Sequence, residues 1–142
     1  QPSCPTFVEM HTLRIEFTGL PPFKANPGTG RKGARQRQES FKEAAQRALA
    51  AWRSDYSKEG VLTFPWDPMS AKIALGITYT RVNGDNDAAN IIGGISDALQ
   101  GVLYANDKQI GSITYLEDQA GEADNDDRLI VEVSQPTERD RE

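Results

Sequence analysis

Between Gly84 and Ile110 the chain carries a helix-spaced apolar pattern bracketed by aspartates, with three glycines on the face that pattern leaves over. Ile91, Ile92, Ile95, Ala98, Leu99, Val102 and Leu103 recur at i, i+3, i+4 and i+7, which predicts one continuous stripe turned toward a core. At about 100° per residue the opposite face collects Asn90, Gly93, Gly94, Asp97 and Gly101. Glycine costs a helix roughly 1 kcal/mol relative to alanine. Three on one face therefore predict that something large, a second helix or a nucleic-acid backbone, comes close to the main chain there.

The carboxylates of this stretch stand at its entrance (Asp85, Asp87), its middle (Asp97) and its exit (Asp107). Asp87 reads as a helix N-cap, able to accept from the unpaired amides of the first turn. Asp85 and Asp107 have no such role. Carboxylates brought together repel one another unless a cation lies among them, and hard Mg²⁺ or Mn²⁺ takes oxygen ligands. Asp85, Asp87 and Asp107 are thus the candidate metal site, set against the plainer alternative of solvated loop acids.

Elsewhere the pattern alternates. Val8 to Thr18, Lys72 to Val82, Gln109 to Leu116 and Arg128 to Val133 read as strands, the second closed by the Asn83-Gly84 turn. Arg37 to Arg53 reads as a helix with Phe41, Ala44, Ala45, Ala48, Leu49 and Trp52 as its buried stripe. Residues 54–69 form a connector in which Val61–Phe64 is a candidate edge strand and Trp66 covers the end of the core. The acidic segment 117–127 reads as a long hairpin connection, residues 1–7 as irregular and 135–142 as a frayed tail. The order β-α-β-α-β-β predicts one α/β (α+β) domain over 1–142, a mixed β-sheet with two packed helices.

Composition narrows the chemistry. With 37% hydrophobic and 26% charged residues the chain is an ordinary globular one, and no run approaches the ~20 apolar residues of a membrane span. A single cysteine, Cys4, excludes an internal disulfide and fits a reducing cytoplasm; the single histidine, His11, leaves no Ser-His or Cys-His pair to assemble. The net charge of −5 argues against a protein that coats nucleic acid, yet Lys24 to Arg37 holds five bases and no acid, whereas Glu117 to Asp127 holds six acids and no base. Residues 23–35 accordingly read as a flexible, glycine-rich basic loop, with Lys24, Arg31, Lys32, Arg35 and Arg37 positioned to grip phosphates. Its Gly28-x-Gly30-x-x-Gly33 spacing is formally a dinucleotide fingerprint, but it does not follow directly on a strand, which leaves a small-molecule site as a third reading only.

The run Asp87, Asn90, Asp97-Ala98-Leu99, Gly101-Val102, Tyr104, Asp107 and Gln109-Ile110 resembles the RusA-like Holliday junction resolvases. In that family an acidic D-x-D-N opening leads into a helix ending D-A-L-N-G, then D-D-x-Q. Gly19-Leu20-Pro21-Pro22 with Asn26 is similar to its G-L-P-P-S-x-N segment. The resemblance implies a Mg²⁺- or Mn²⁺-dependent endonuclease acting on branched DNA as a homodimer. Asp85, Asp87 and Asp107 would be its catalytic and metal-holding residues, and Asn90 would orient the acidic entrance. There are two departures. Aligning Asn90 with the family's asparagine puts Ala89 at the second acidic position, while a two-residue insertion makes Asp85 and Asp87 the pair. In both alignments Gly93 stands where a lysine is usual. The rival is therefore a RusA-like DNA-binding or structural protein that does not cut. The glycine face of the second helix, within the 84–110 stretch, is a candidate dimer contact.

Overall fold

Alternating burial marks β1 (Thr12–Thr18), β2 (Ile73–Thr80) and β4 (Arg128–Ser134), which with the largely exposed β3 (Ile110–Asp118) are interleaved with helices α1 (Arg31–Tyr56) and α2 (Ala88–Leu99). The computed structural model describes residues 10–25, 31–57 and 63–136. The predicted β-α-β-α-β-β order and the mixed sheet with two helices are borne out, with a 3₁₀ turn, Asp107–Gln109, leading into β3. Val8, Val61 and the tail beyond Pro136 lie outside the described residues.

The sheet order is β1-β4-β2-β3. β3 runs parallel to β2, as a crossover through α2 requires, while β4 runs antiparallel between β2 and β1. The acidic segment after β3 is therefore not a hairpin connection, because its two strands are not neighbours. It passes over the end of β2 to start β4, so that Thr80 and Arg128 face one another. Pairing preference decided this: Leu129, Val131 and Val133 are fully buried, and a central place between two strands covers them better than an edge.

One face of the sheet holds Leu13, Ile15, Leu75, Ile77, Leu129, Val131 and Val133, packed with Phe41, Leu49 and Trp52 of α1 and Ile91, Ile95 and Leu99 of α2 in one core. Trp52 donates its indole N–H to Met10 O (3.0 Å), and Trp66 donates to Leu103 O (2.8 Å), sealing the end of that core as expected.

Helix α1 starts six residues earlier than periodicity predicts, so Arg31 to Arg35 are helical rather than part of a loop, and Gly33 lies within the helix instead of in a dinucleotide turn. Tertiary contact outweighs the glycine and the absence of an acidic first turn. Ala34 is fully buried, Gln38 Nε2 donates to Phe23 O at 2.9 Å, and the Arg37 guanidinium stacks 5.0 Å above the Phe23 ring.

Candidate functional site

The acidic entrance is built by β2, its following turn and the N-cap of α2. Asp87 caps α2 as read from sequence: its carboxylate accepts the Asn90 amide at 2.8 Å and its backbone is extended. Asp85 lies two residues earlier, exposed, where the chain leaves β2. Asn90 contributes through its backbone. Its N–H fastens the Asp87 side chain and its carbonyl accepts the Lys24 amide at 2.9 Å, tying the 19–25 segment to the helix start.

What holds the turn before Asp85 is a residue that sequence reading left among the loop acids. Asp127 is only 1% exposed. One carboxylate oxygen accepts the amides of Val82 (2.8 Å) and Asn83 (2.5 Å), the other the amide of Gly84 (2.9 Å) and the Tyr79 hydroxyl. Its carbonyl accepts the Gly19 amide at 2.8 Å. A single residue just before β4 thus clamps the turn ahead of the acidic entrance with its side chain and the segment that begins Gly19-Leu20-Pro21-Pro22 with its carbonyl. Burial pushes the Asp127 carboxyl up, but the Asn83 amide, the Tyr79 hydroxyl and the Val82 and Gly84 amides outweigh it and leave the group below the usual carboxylate range. Burial, and then the Asp127 partner, push the Tyr79 phenol up. A Cβ on Gly84 would stand 2.6 Å from Asp127 Oδ2, so glycine is required where the clamp closes. Arg81 braces the same turn, donating to Gly84 O (2.8 Å) and to both Glu117 oxygens (3.0 Å each), which holds Glu117 below its ordinary value. Two aspartates flanking Asn125 and a Pro-free loop gave no periodicity by which this role could have been found.

Asp107 is elsewhere. It opens the 3₁₀ turn ahead of β3, and β3 is parallel to β2, so Asp107 stands at the Ile73 end of the sheet while Asp85 stands beyond the Thr80 end. The helix between them says the same: Asp87 caps the start of α2, and twelve residues make about 18 Å of helix. The Tyr104 phenol, pushed up to about 12 by burial and further by the charges of Asp107 and Asp97, donates to Ser96 O at 2.6 Å near the helix end. Gln109 fixes the turn that presents Asp107. Its oxygen accepts the Ala105 and Asn106 amides (3.0 Å each), and its amide donates to Pro68 O and Ala71 O. Within one chain the predicted trio is therefore divided, Asp85 with Asp87 at one end and Asp107 at the other, and among the described residues no three His, Cys, Asp or Glu side chains gather to hold an ion.

The glycine face of α2 is occupied by the chain itself. A Cβ on Gly94 would run into the backbone of Phe23, and one on Gly93 would stand 3.2 Å from the Lys24 side chain. The close approach read from the three glycines is real at these two positions, but its partner is the 23–24 segment rather than another subunit. Lys24 thus lies across the position where the resemblance places a lysine. Arg37 stacks on Phe23 and lines a groove of about 370 Å³ with Phe17, Leu20, Gly33, Gln36 and Ser40, and its Nη1 has no hydrogen-bond partner among the described residues. Arg35 is exposed on α1, and Arg31 and Lys32 occupy its first turn. No described helix is long and apolar enough to cross a membrane.

Compared with known proteins, the chain matches the family model described as endodeoxyribonuclease RusA over residues 20–135. No individual curated protein matches it.

Proposed function

Because this chain belongs to the RusA endodeoxyribonuclease family, we propose that it is a structure-specific nuclease that resolves Holliday junctions or related branched DNA with Mg²⁺ or Mn²⁺. The family match over 20–135 carries the reading, since it takes in the whole 84–110 motif and all of the earlier segment but Gly19. Supporting it, Asp127 and Asn90 hold those two segments together.

Asp85 and Asp87 supply hard oxygen donors at the entrance, the chemistry such an ion takes. Asp107 could join them only from a second chain laid head to tail beside the first. The residues therefore fit the ion as a set shared by two copies, and do not fit it within one. When bound, the ion would screen the scissile phosphate and polarise an attacking water. The chain's own contribution is positional. Asp127 and Gly84 fix the approach to Asp85, Asn90 fixes Asp87, and Gln109 fixes Asp107. Lys24 against Gly93 and Arg37 on the Phe23 ring are the cations that support a phosphate-holding role, which we extend to Arg35, Arg31 and Lys32 of the same basic stretch. The lysine stem across Gly93 offsets the lysine missing from α2, since a cation is restored to that helix face from the 23–25 segment.

The specific observation for a second reading, DNA binding without cleavage, is Ala89 at the second acidic position of one alignment. The experiment is cleavage of a four-way junction with Mg²⁺ or Mn²⁺, alongside junction binding in chelator. Cleavage supports the nuclease. Tight junction binding with neither cleavage nor calorimetric uptake of Mn²⁺ transfers the conclusion to the second reading.

A further inference from the structure

We infer that the groove between the end of β1 and the first turns of α1 is a pocket for a single nucleobase, drawn out of the stack at the branch of the DNA. Phe17 and Leu20 form its apolar wall, and Gly33, Gln36, Arg37 and Ser40 the wall facing it, around a volume of about 370 Å³. Clefts that seat small ligands begin at about 300 Å³. Phe17 is anchored edge-on against Phe41, with ring centroids 5.8 Å apart. Gly19 takes φ 127°, a conformation suited to glycine, and its amide is held by Asp127 O at 2.8 Å. The turn made there brings Leu20 onto the groove beside Phe17 and leaves it 38% exposed, one of the four exposed large apolar side chains among the described residues. The facing residues recur at i, i+3, i+4 and i+7 and so form a single stripe of α1, beside the buried stripe that holds Ala34 and Phe41.

The two walls together select the occupant. Arg37 is held by the Phe23 ring 5.0 Å away, and its Nη1 is buried with no acceptor among the described residues, a donor withdrawn from water and left unpaired. An acceptor entering the groove would complete that fork, with the Gln36 amide and the Ser40 hydroxyl beside it to take further donors and acceptors. A phosphate would use the polar wall and gain nothing from Phe17 and Leu20. A base has apolar faces and a polar edge, and so meets both walls at once. Bases next to a branch have already lost part of their stacking, which makes them the cheapest to extrude. The inference rests on the branched-DNA reading given above, and it narrows Arg37 within its basic stretch from the phosphate backbone to a base edge. The pocket is also tied to the acidic entrance. Asp127, whose carbonyl holds Gly19, holds the Val82, Asn83 and Gly84 amides ahead of Asp85 with its carboxylate, so one residue sets the position of an extruded base against the entrance acids.

Binding of four-way junctions by the full chain, measured in chelator, tests the pocket. A single abasic site is placed in turn at each position flanking the branch. At one of them it should weaken binding about tenfold, the contribution expected of one stacked base. Gly33→Leu plugs the groove from α1, where an added Cβ meets only Phe23 Cζ at 3.7 Å and where leucine suits a helix better than glycine. This variant should keep its far-UV circular dichroism, bind the intact junction as weakly as the parent binds the abasic one, and no longer distinguish the two. Arg37→Gln should lose part of the same discrimination with the salt slope of log K unchanged. A slope lowered by about 1 would put Arg37 on a phosphate and overturn the base assignment. A parent indifferent to every abasic position, or a plugged variant that discriminates as the parent does, also overturns the pocket while junction binding stands. Failure of the nucleic-acid reading looks different: no junction binds, intact or abasic, and pocket and reading fall together.

Discussion

Replacing Asp127 by asparagine keeps the shape of the clamp and removes half of its accepting power. Four donors converge on the carboxylate. An amide can turn its oxygen toward Val82 and Asn83 or toward Gly84 and Tyr79, not both. With the oxygen on Val82 and Asn83, the new NH₂ faces the Gly84 amide and the Tyr79 hydroxyl. The hydroxyl can rotate to accept, but the Gly84 N–H is left unpaired. A buried donor without a partner costs about 1–3 kcal/mol, and each surviving bond falls from the charge-assisted to the neutral range, about 1 kcal/mol apiece. Allowing for relaxation, the expected loss is about 3 kcal/mol, or roughly 10 °C in Tm for a chain of this size. Denaturant unfolding followed by circular dichroism measures it, and amide hydrogen exchange at Val82, Asn83 and Gly84 localises it. The pH dependence has a definite sign. Asp127 is held below the ordinary carboxylate value, so its contribution is present above about pH 4 and is lost as pH falls through the folded value. The stability gap between parent and variant should stay level from neutral pH to about 5 and close only in stronger acid. Because the Tyr79 phenol is pushed up, the same clamp should also weaken in alkali once pH passes about 10. A loss below about 1 kcal/mol, or a gap that does not close in acid, would refute the clamp.

Gly84→Ala drives a methyl group to 2.6 Å from Asp127 Oδ2 and should cost about 1–3 kcal/mol by thermal unfolding. Gly94→Ala, whose methyl meets the Phe23 backbone, should cost a similar amount, whereas Gly93→Ala meets only the flexible Lys24 stem and should be nearly neutral; equal effects would remove the distinction drawn between the two. Lys24→Ala should weaken junction binding and lower the salt slope of log K by about 1, with little change in stability; an unchanged slope would take Lys24 out of the phosphate margin. Asp107→Asn should abolish metal-dependent junction cleavage and leave binding intact or tighter, and equal cleavage by both forms would remove Asp107 from the site.

The elements and their order were legible in the chain because each rests on local periodicity. The alternation of Ile73, Leu75, Ile77 and Tyr79, the stripe of Ile91, Ile95 and Leu99, and the Asp87 cap depend on residues a few positions apart. Two of the three glycines, Gly93 and Gly94, correctly announced a close approach, since a missing Cβ records a contact without naming the partner, whereas Gly101 lies past the end of α2 with open space about it. What approached Gly93 and Gly94 was decided by the return of residues 23–24 to α2, some seventy positions away in sequence. The same segment extended α1 back to Arg31 by stacking Phe23 on Arg37. The insertion of β4 between β1 and β2 is likewise tertiary: it turned a supposed hairpin loop into a crossing over the end of β2 and delivered Asp127 to the Val82–Gly84 amides. Spacing along the chain could nominate Asp85, Asp87 and Asp107 as acids, but their separation depends on strand direction. A parallel β3 sends Asp107 to the far end of the sheet from Asp85, a distance no pattern of residue types records.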